Sequence, residues 1–130
     1  MSSNRDQAEV RAAEARFYDA LRRVHEDGSA ALLEAWSQGD DVTTMNAAGG
    51  YERGQGEVRG RWSWWAGRGV PMPATRVEHL ASVVGAELAY TVALEHHGPR
   101  VLRVTHVYRR EDGGWKLVHR HADPLATKPE

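Results

Sequence analysis

From Val10 to Val24 apolar residues recur at three- and four-residue steps: Val10, Ala13, Phe17, Ala20, Leu21 and Val24. Arg11, Glu14, Arg16, Asp19, Arg22 and Arg23 fill the other face, so the segment predicts a long amphipathic helix. Ser2, Ser3 or Asn4 can cap its start and Gly28 offers a stop. A shorter helix is predicted over Ser29–Trp36, ended by Gly39, and the β-branched run Asp41–Asn46 predicts a strand. Ala47–Gly56 is glycine-rich and reads as a loop; a third helix follows over Gln55–Ala66, and Gly67, Gly69, Pro71 and Pro73 break the chain again. From there the pattern alternates. Strands are predicted at Thr75–Val84, Glu87–His97, Arg100–Arg110 and Trp115–Asp123, joined by turns at Gly85, Gly98-Pro99 and Glu111–Gly114. Helices first and a strand meander afterwards imply an α+β fold with an antiparallel sheet. No repeat or linker divides the chain, so residues 1–130 are expected to form one domain, with a loose tail from about Ala126.

Composition narrows the function classes. A chain of 130 residues with 41% hydrophobic and 27% charged residues can bury a core and is not disordered. A net charge of −1 gives neither nucleic acid nor a membrane surface an electrostatic handle. The absence of cysteine excludes disulfides, thiolate nucleophiles and cysteine zinc sites. The charged N-terminal stretch lacks a signal peptide's apolar run, and no segment offers the ~20 apolar residues of a membrane helix, so the expected setting is cytoplasmic. Five tryptophans stand against one phenylalanine, and Trp62, Trp64 and Trp65 cluster on the third predicted helix. Such rings suit pocket walls and cores alike.

Arg103–Asp123 (RVTHVYRREDGGWKLVHRHAD) resembles the last hairpin of SnoaL-like proteins, Glu87–Gly98 resembles a strand of ketosteroid isomerase, and DDVTTMNAAGG with RGQGEVRGRWSWW resembles the first strand, loop and third helix of the nuclear transport factor 2-like superfamily. The resemblance implies a cone-like fold in which three N-terminal helices pack on a curved mixed or antiparallel sheet and enclose a pocket. It also implies a homodimer through the outer sheet face. In ketosteroid isomerase a carboxylate base faces an oxyanion hole built from a Tyr and a protonated Asp. The matching positions here hold Asn46, Phe17 and His106, so all three roles are altered and that isomerase activity is not expected.

Strand alternation then selects pocket candidates. Leu88, Tyr90, Val92 and Leu94 match pocket-facing positions of the isomerase. His106 shares a face with Leu102, Val104 and Tyr108. If the turn pairs Arg110 with Trp115, His106 lies opposite His119, which sends Trp115, Leu117, His119, His121 and Asp123 into the pocket and leaves Arg103 and Arg120 on the other face. A one-residue slip reverses that set. The expected site comprises His106, His119, His121 and Asp123 as acid/base groups, with Phe17, Asn46, Trp62, Trp65, Tyr90, Val92 and Tyr108 around the ligand. Imidazoles exchange protons near neutrality, and Asp123, two residues from His121, would orient it. This predicts a cofactor-independent enzyme of cyclase, isomerase, dehydratase or hydrolase type, acting on a small hydrophobic or polyketide-like molecule. The same histidines also read as hydrogen-bonded core or dimer-face residues. Their spacing matches no recognised metal motif, and no metal is expected. His96 and His97 adjoin a turn and are expected to face solvent. The alternative function is a non-catalytic ligand-binding or association domain, since the hub domain of calcium/calmodulin-dependent kinase resembles the same C-terminal pattern.

Overall fold

The computed structural model describes residues 4–67 and 76–126. Ser2, Ser3, Gly69, Pro71, Pro73, Thr75 and the tail beyond Ala126 lie outside the described residues. The elements in chain order are α1 (Asn4–Arg22), α2 (Val24–Asp27), α3 (Ala30–Glu34), β1 (Thr43–Met45), β2 (Tyr51–Arg53), α4 (Gly54–Ala66), β3 (Arg76–Val84), β4 (Leu88–His97), β5 (Arg100–Glu111) and β6 (Gly114–Pro124). The chain is α+β, with the helices packed on one curved, unclosed six-stranded sheet of order β2-β1-β6-β5-β4-β3. The glycine-rich loop expected at 47–56 contains β2, which pairs antiparallel with β1. β1 joins β6 in parallel, so the sheet is mixed.

α1 forms because its apolar stripe is buried as a stripe: Val10, Ala13, Phe17, Tyr18, Ala20 and Leu21 all face the core. Phe17, at 0% exposed, meets Trp62 edge to face at 6.1 Å and His106 at 4.8 Å. Burying a side chain of that size stabilises the fold by roughly 1.5–3 kcal/mol. Glu14 departs from the expected pattern. It sits on the buried face among these apolar residues rather than on the charged one.

The register of the last hairpin decides which side chains enter the interior. Arg110 pairs with Trp115 and Tyr108 with Leu117, as expected, but Val107 then pairs with His119, leaving Val118 as an extra residue in β6. Such a bulge switches the facing of everything beyond it. Two parallel partners flank it: Trp36 bridges Leu117, with Leu117 N donating to Ala35 O at 2.9 Å, and Thr43 pairs with His119. Trp115 and Leu117 therefore point inward, and after the bulge Arg120 and Ala122 do so, all of them buried. Along β4 the inward set is Ala89, Thr91, Ala93 and Glu95, whereas Leu88 and Tyr90 remain exposed. Among the described residues no helix is long and apolar enough to cross a membrane.

Candidate functional site

Five strand pairings place one polar row across the concave face. Glu52 of β2 pairs with Thr44 of β1, Thr44 with Arg120 of β6, Arg120 with His106 of β5, His106 with Thr91 of β4, and Thr91 with Ser82 of β3. Every strand of the sheet contributes one member. The row has a buried end beneath α1 and an open end in a cleft.

At the buried end, His106 Nδ1 lies 2.6 Å from Glu14 Oε1 and His106 Nε2 lies 2.9 Å from Arg120 Nη1. A guanidinium can only donate, so Nε2 is the accepting nitrogen and Nδ1 carries the proton given to Glu14. Tyr108 Oη also donates to Glu14 Oε1, in a short contact, and Thr91 adds a third bond. Burial works against the charged form of Glu14. The imidazole of His106 and these hydrogen bonds outweigh it, and the carboxyl is pushed down to about 2. Arg120 forms a bidentate pair with Glu95 at 2.6 and 3.0 Å. Tyr18 Oη donates to Glu95 at 2.7 Å, and His97 Nε2 lies 3.0 Å from its other oxygen. Burial would raise Glu95; Arg120, His97 and Tyr18 instead hold it well below the ordinary carboxylate range. His106 and Glu95 are both 0% exposed, so the hydrogen bonds that join Tyr108, Glu14, His106, Arg120, Glu95 and Tyr18 are shielded from water.

The open end is a cleft of about 460 Å³, walled by Trp62, Trp65, Leu102 and Ala122, with Thr44 and Arg120 at its inner surface and Glu52, Asn46, Arg61 and Arg100 around them. Thr44 Oγ1 donates to Glu52 Oε1 in a short contact, Asn46 Nδ2 donates to Glu52 Oε2 at 3.0 Å, and Arg61 Nε stands 3.5 Å from the same oxygen. Trp62 and Trp65 meet edge to face at 5.9 Å, giving a rigid aromatic wall. The bonds of Arg120 to Glu95 and His106 use Nη1 and Nη2, so Nε–H is not engaged by them. A carboxylate and a fixed guanidinium thus flank Thr44 on adjoining strands, a spacing of about 5 Å per strand.

Of the residues predicted for the site, Asn46, Trp62 and Trp65 line the cleft. Phe17 and Tyr108 are on the concave side but fully packed, beside His106 and Glu14 respectively, and do not line it. His106 is inward yet enclosed, with both ring nitrogens engaged. His119, His121 and Asp123 are on the outer sheet face, contrary to expectation, because the extra residue Val118 reverses their facing. There His119 Nδ1 meets Thr43 Oγ1 at 2.8 Å, and Asp123 accepts two bonds from Arg103 at 2.7 and 2.9 Å. His121 Nε2 does approach Asp123, at 3.5 Å, but on that outer side. Tyr90 and Val92 share that face, since their pairing partners Val107 and Thr105 sit opposite the outward residues His119 and His121. His97, expected in solvent, is turned inward with only 10% of its side chain exposed. Sequence reasoning missed Arg120, Glu52, Thr44, Glu14 and Glu95. Glu14 was detectable in principle, because it stands four residues after Val10 and three before Phe17, on the apolar stripe. Among the described residues no cluster suited to a metal ion occurs.

Residues 10–126 match the family model of the SnoaL-like domain. A candidate calcium/calmodulin-dependent protein kinase type II association domain from Thiobacillus denitrificans is 23% identical, with 89% of this chain and 94% of that one aligned and a TM-score of 0.77. A candidate dehydratase of the NTF2-like family from Streptomyces avermitilis is 21% identical over 97% of this chain and 100% of that one, also with a TM-score of 0.77. A cystatin-like fold protein from Burkholderia xenovorans is 21% identical over 97% and 96%, with a TM-score of 0.73. At these identities the likeness speaks for the fold. No curated protein matches the chain.

Proposed function

Because the chain belongs to the SnoaL-like domain family, whose fold supports a small-molecule pocket, we propose that it is a cofactor-independent acid/base enzyme acting in the cleft above Thr44. The observation that carries this is the open end of the polar row, where Glu52 and Arg120 flank one threonine at the inner surface of an aromatic-walled cleft. Glu52 is the proton-transfer group, held by Thr44, Asn46 and Arg61. Arg120 supplies a fixed N–H toward an oxygen of the ligand that gains negative charge, as an oxyanion donor does. His106 is a positioning residue, since it touches Arg120 and Glu14 and not the cleft. Glu14 and Glu95 serve in the same way, because a guanidinium tied on both sides need not reorganise during reaction. Enolisation of a carbonyl compound is the simplest reaction this pair performs: Glu52 takes the α-proton while the forming enolate oxygen accepts from the Arg120 guanidinium.

The test is exchange of α-protons for deuterium in D₂O, followed by proton NMR over a panel of aryl ketones. Wild-type protein should accelerate exchange for at least one member. Glu52→Gln should abolish the acceleration while leaving binding of that ketone intact; exchange that persists unchanged in Glu52→Gln would reject the role. The exposed apolar residues Leu80, Val83, Leu88 and Tyr90 on β3 and β4, from 42% to 54% exposed, support a homodimer through the outer sheet face. Sedimentation equilibrium of Tyr90→Glu against wild type checks it, with equal masses counting against a dimer.

A further inference from the structure

The cleft is not electrically balanced. Three guanidinium groups line it, those of Arg61, Arg100 and Arg120, against the single carboxylate of Glu52. Two of the three are matched. Arg120 is paired with Glu95, and Arg61 approaches Glu52 at 3.5 Å while its Cζ lies 5.1 Å over the Trp64 ring. Arg100 is exposed at the start of β5 and makes no hydrogen bond or ion pair through its side chain among the described residues. An arginine on the wall of a tryptophan-lined cleft, with no carboxylate paired to it among the described residues, matches a planar anion brought by the guest, since its fork of donors fits a carboxylate in two parallel hydrogen bonds.

We propose that the ligand is an elongated, flat organic carboxylate whose acid group pairs with Arg100 while its far, neutral oxygen reaches Arg120. This rests on the acid/base reading of the cleft and names the substrate class for it. Length follows from the strand geometry. Arg100 and His106, the partner of Arg120 in the row, are separated along β5 by about 20 Å at the usual rise, a span that the two long side chains shorten from both ends. Flatness follows from the walls, where the rings of Trp62 and Trp65 offer the guest a rigid aromatic surface. The position of the charge follows from Glu52, which would repel an anion at the inner end, and the acid group therefore lies at the Arg100 end.

Calorimetric titration with 6-acetyl-2-naphthoate and with its neutral primary amide tests this. The wild type should bind the acid at least about tenfold more tightly than the amide, and the difference should shrink as salt is raised. Arg100→Gln should remove the preference while leaving the affinity for the amide unchanged, and Arg100→Lys should retain part of it. Equal binding of acid and amide by the wild type would overturn the carboxylate inference and leave the cleft as a binding site. Retention of the full preference in Arg100→Gln would overturn the assignment to that residue. Binding of neither compound would count against both the inference and the proposed function.

Discussion

Arg120 is the most informative residue to remove, because it is 6% exposed and is the only guanidinium hydrogen-bonded to a fully buried carboxylate among the described residues. Replacing it by Met keeps the apolar stem and deletes the charge. Glu95 would then be left at 0% exposure with Tyr18 and His97 as its remaining partners. Removing one partner of a buried ion pair costs about 3–5 kcal/mol, whereas an exposed pair is worth less than about 1 kcal/mol. For a domain of this size the expected loss lowers Tm by roughly 10–20 °C. Urea unfolding followed by tryptophan fluorescence is the assay, since Trp36, Trp62 and Trp115 are buried and report on the core. The decisive comparison is the double variant Arg120→Met/Glu95→Gln. The neutral amide keeps an oxygen for Tyr18 and removes the stranded charge, so the double variant should be more stable than Arg120→Met alone by about 2 kcal/mol. Acidity adds a second signature. In the wild type Glu95 is depressed and its contribution is lost as the pH falls below the ordinary 4.5, whereas in Arg120→Met the stranded carboxyl is raised and is relieved by protonation. The gap between the two proteins should therefore be widest near neutrality and narrow in acid. A loss under about 1 kcal/mol would refute the claim that the pair is dry, and so would a double variant that merely adds the two losses.

Three further outcomes follow from the same geometry. Glu14, pushed down to about 2 from an ordinary 4.5, contributes stability present above the unfolded value and lost as pH falls from 4.5 toward 2, on the order of 3 kcal/mol; Glu14→Gln should flatten that limb of the pH–stability curve, and an unchanged slope would refute the assignment. His119 should titrate below its ordinary 6.5, because it is partly buried on the strand and because His121 lies beside it, with ring centroids 6.4 Å apart; a proton–nitrogen NMR titration that places it above 6.5 would contradict the packing. Val118→Ala should cost about 2 kcal/mol, a side-chain loss, whereas deletion of Val118 should abolish cooperative thermal unfolding by circular dichroism; a folded deletion variant would show that the bulge does not set the facing of the strand.

Much of the fold was legible because it rests on periodicity. The stripe from Val10 to Val24 gives α1, and the glycine turns mark the four-stranded meander that follows. β2 was hidden because Tyr51–Arg53 is three residues long and exists through its pairing with β1, which local propensity does not encode. The cleft wall was readable at Asn46, Trp62 and Trp65. The charged residues of the site were not, and the reason is the same in each instance. Glu14, Glu95 and Arg120 are polar residues at buried positions, where composition argues for the surface and only partners on other elements reverse the preference.

The last strand shows how far one residue can carry that effect. Up to Leu117 simple alternation holds, and continuing it would place His119, His121 and Asp123 inside, an arrangement that reads as proton-transfer machinery. Val118 inverts it, and the interior receives Arg120 and Ala122 instead. The inversion is consistent with the charges already inside. With Arg120 outward, Glu95 would be buried without a guanidinium, with Tyr18 and His97 as its remaining partners, at a cost of several kcal/mol, whereas His119 and His121 bear the outer face at lower cost because they are partly or largely exposed there. A buried carboxylate on β4 therefore selects the facing of β6 two strands away. The bulge and Glu95 are one feature of the fold, and the cleft gains its guanidinium as the consequence.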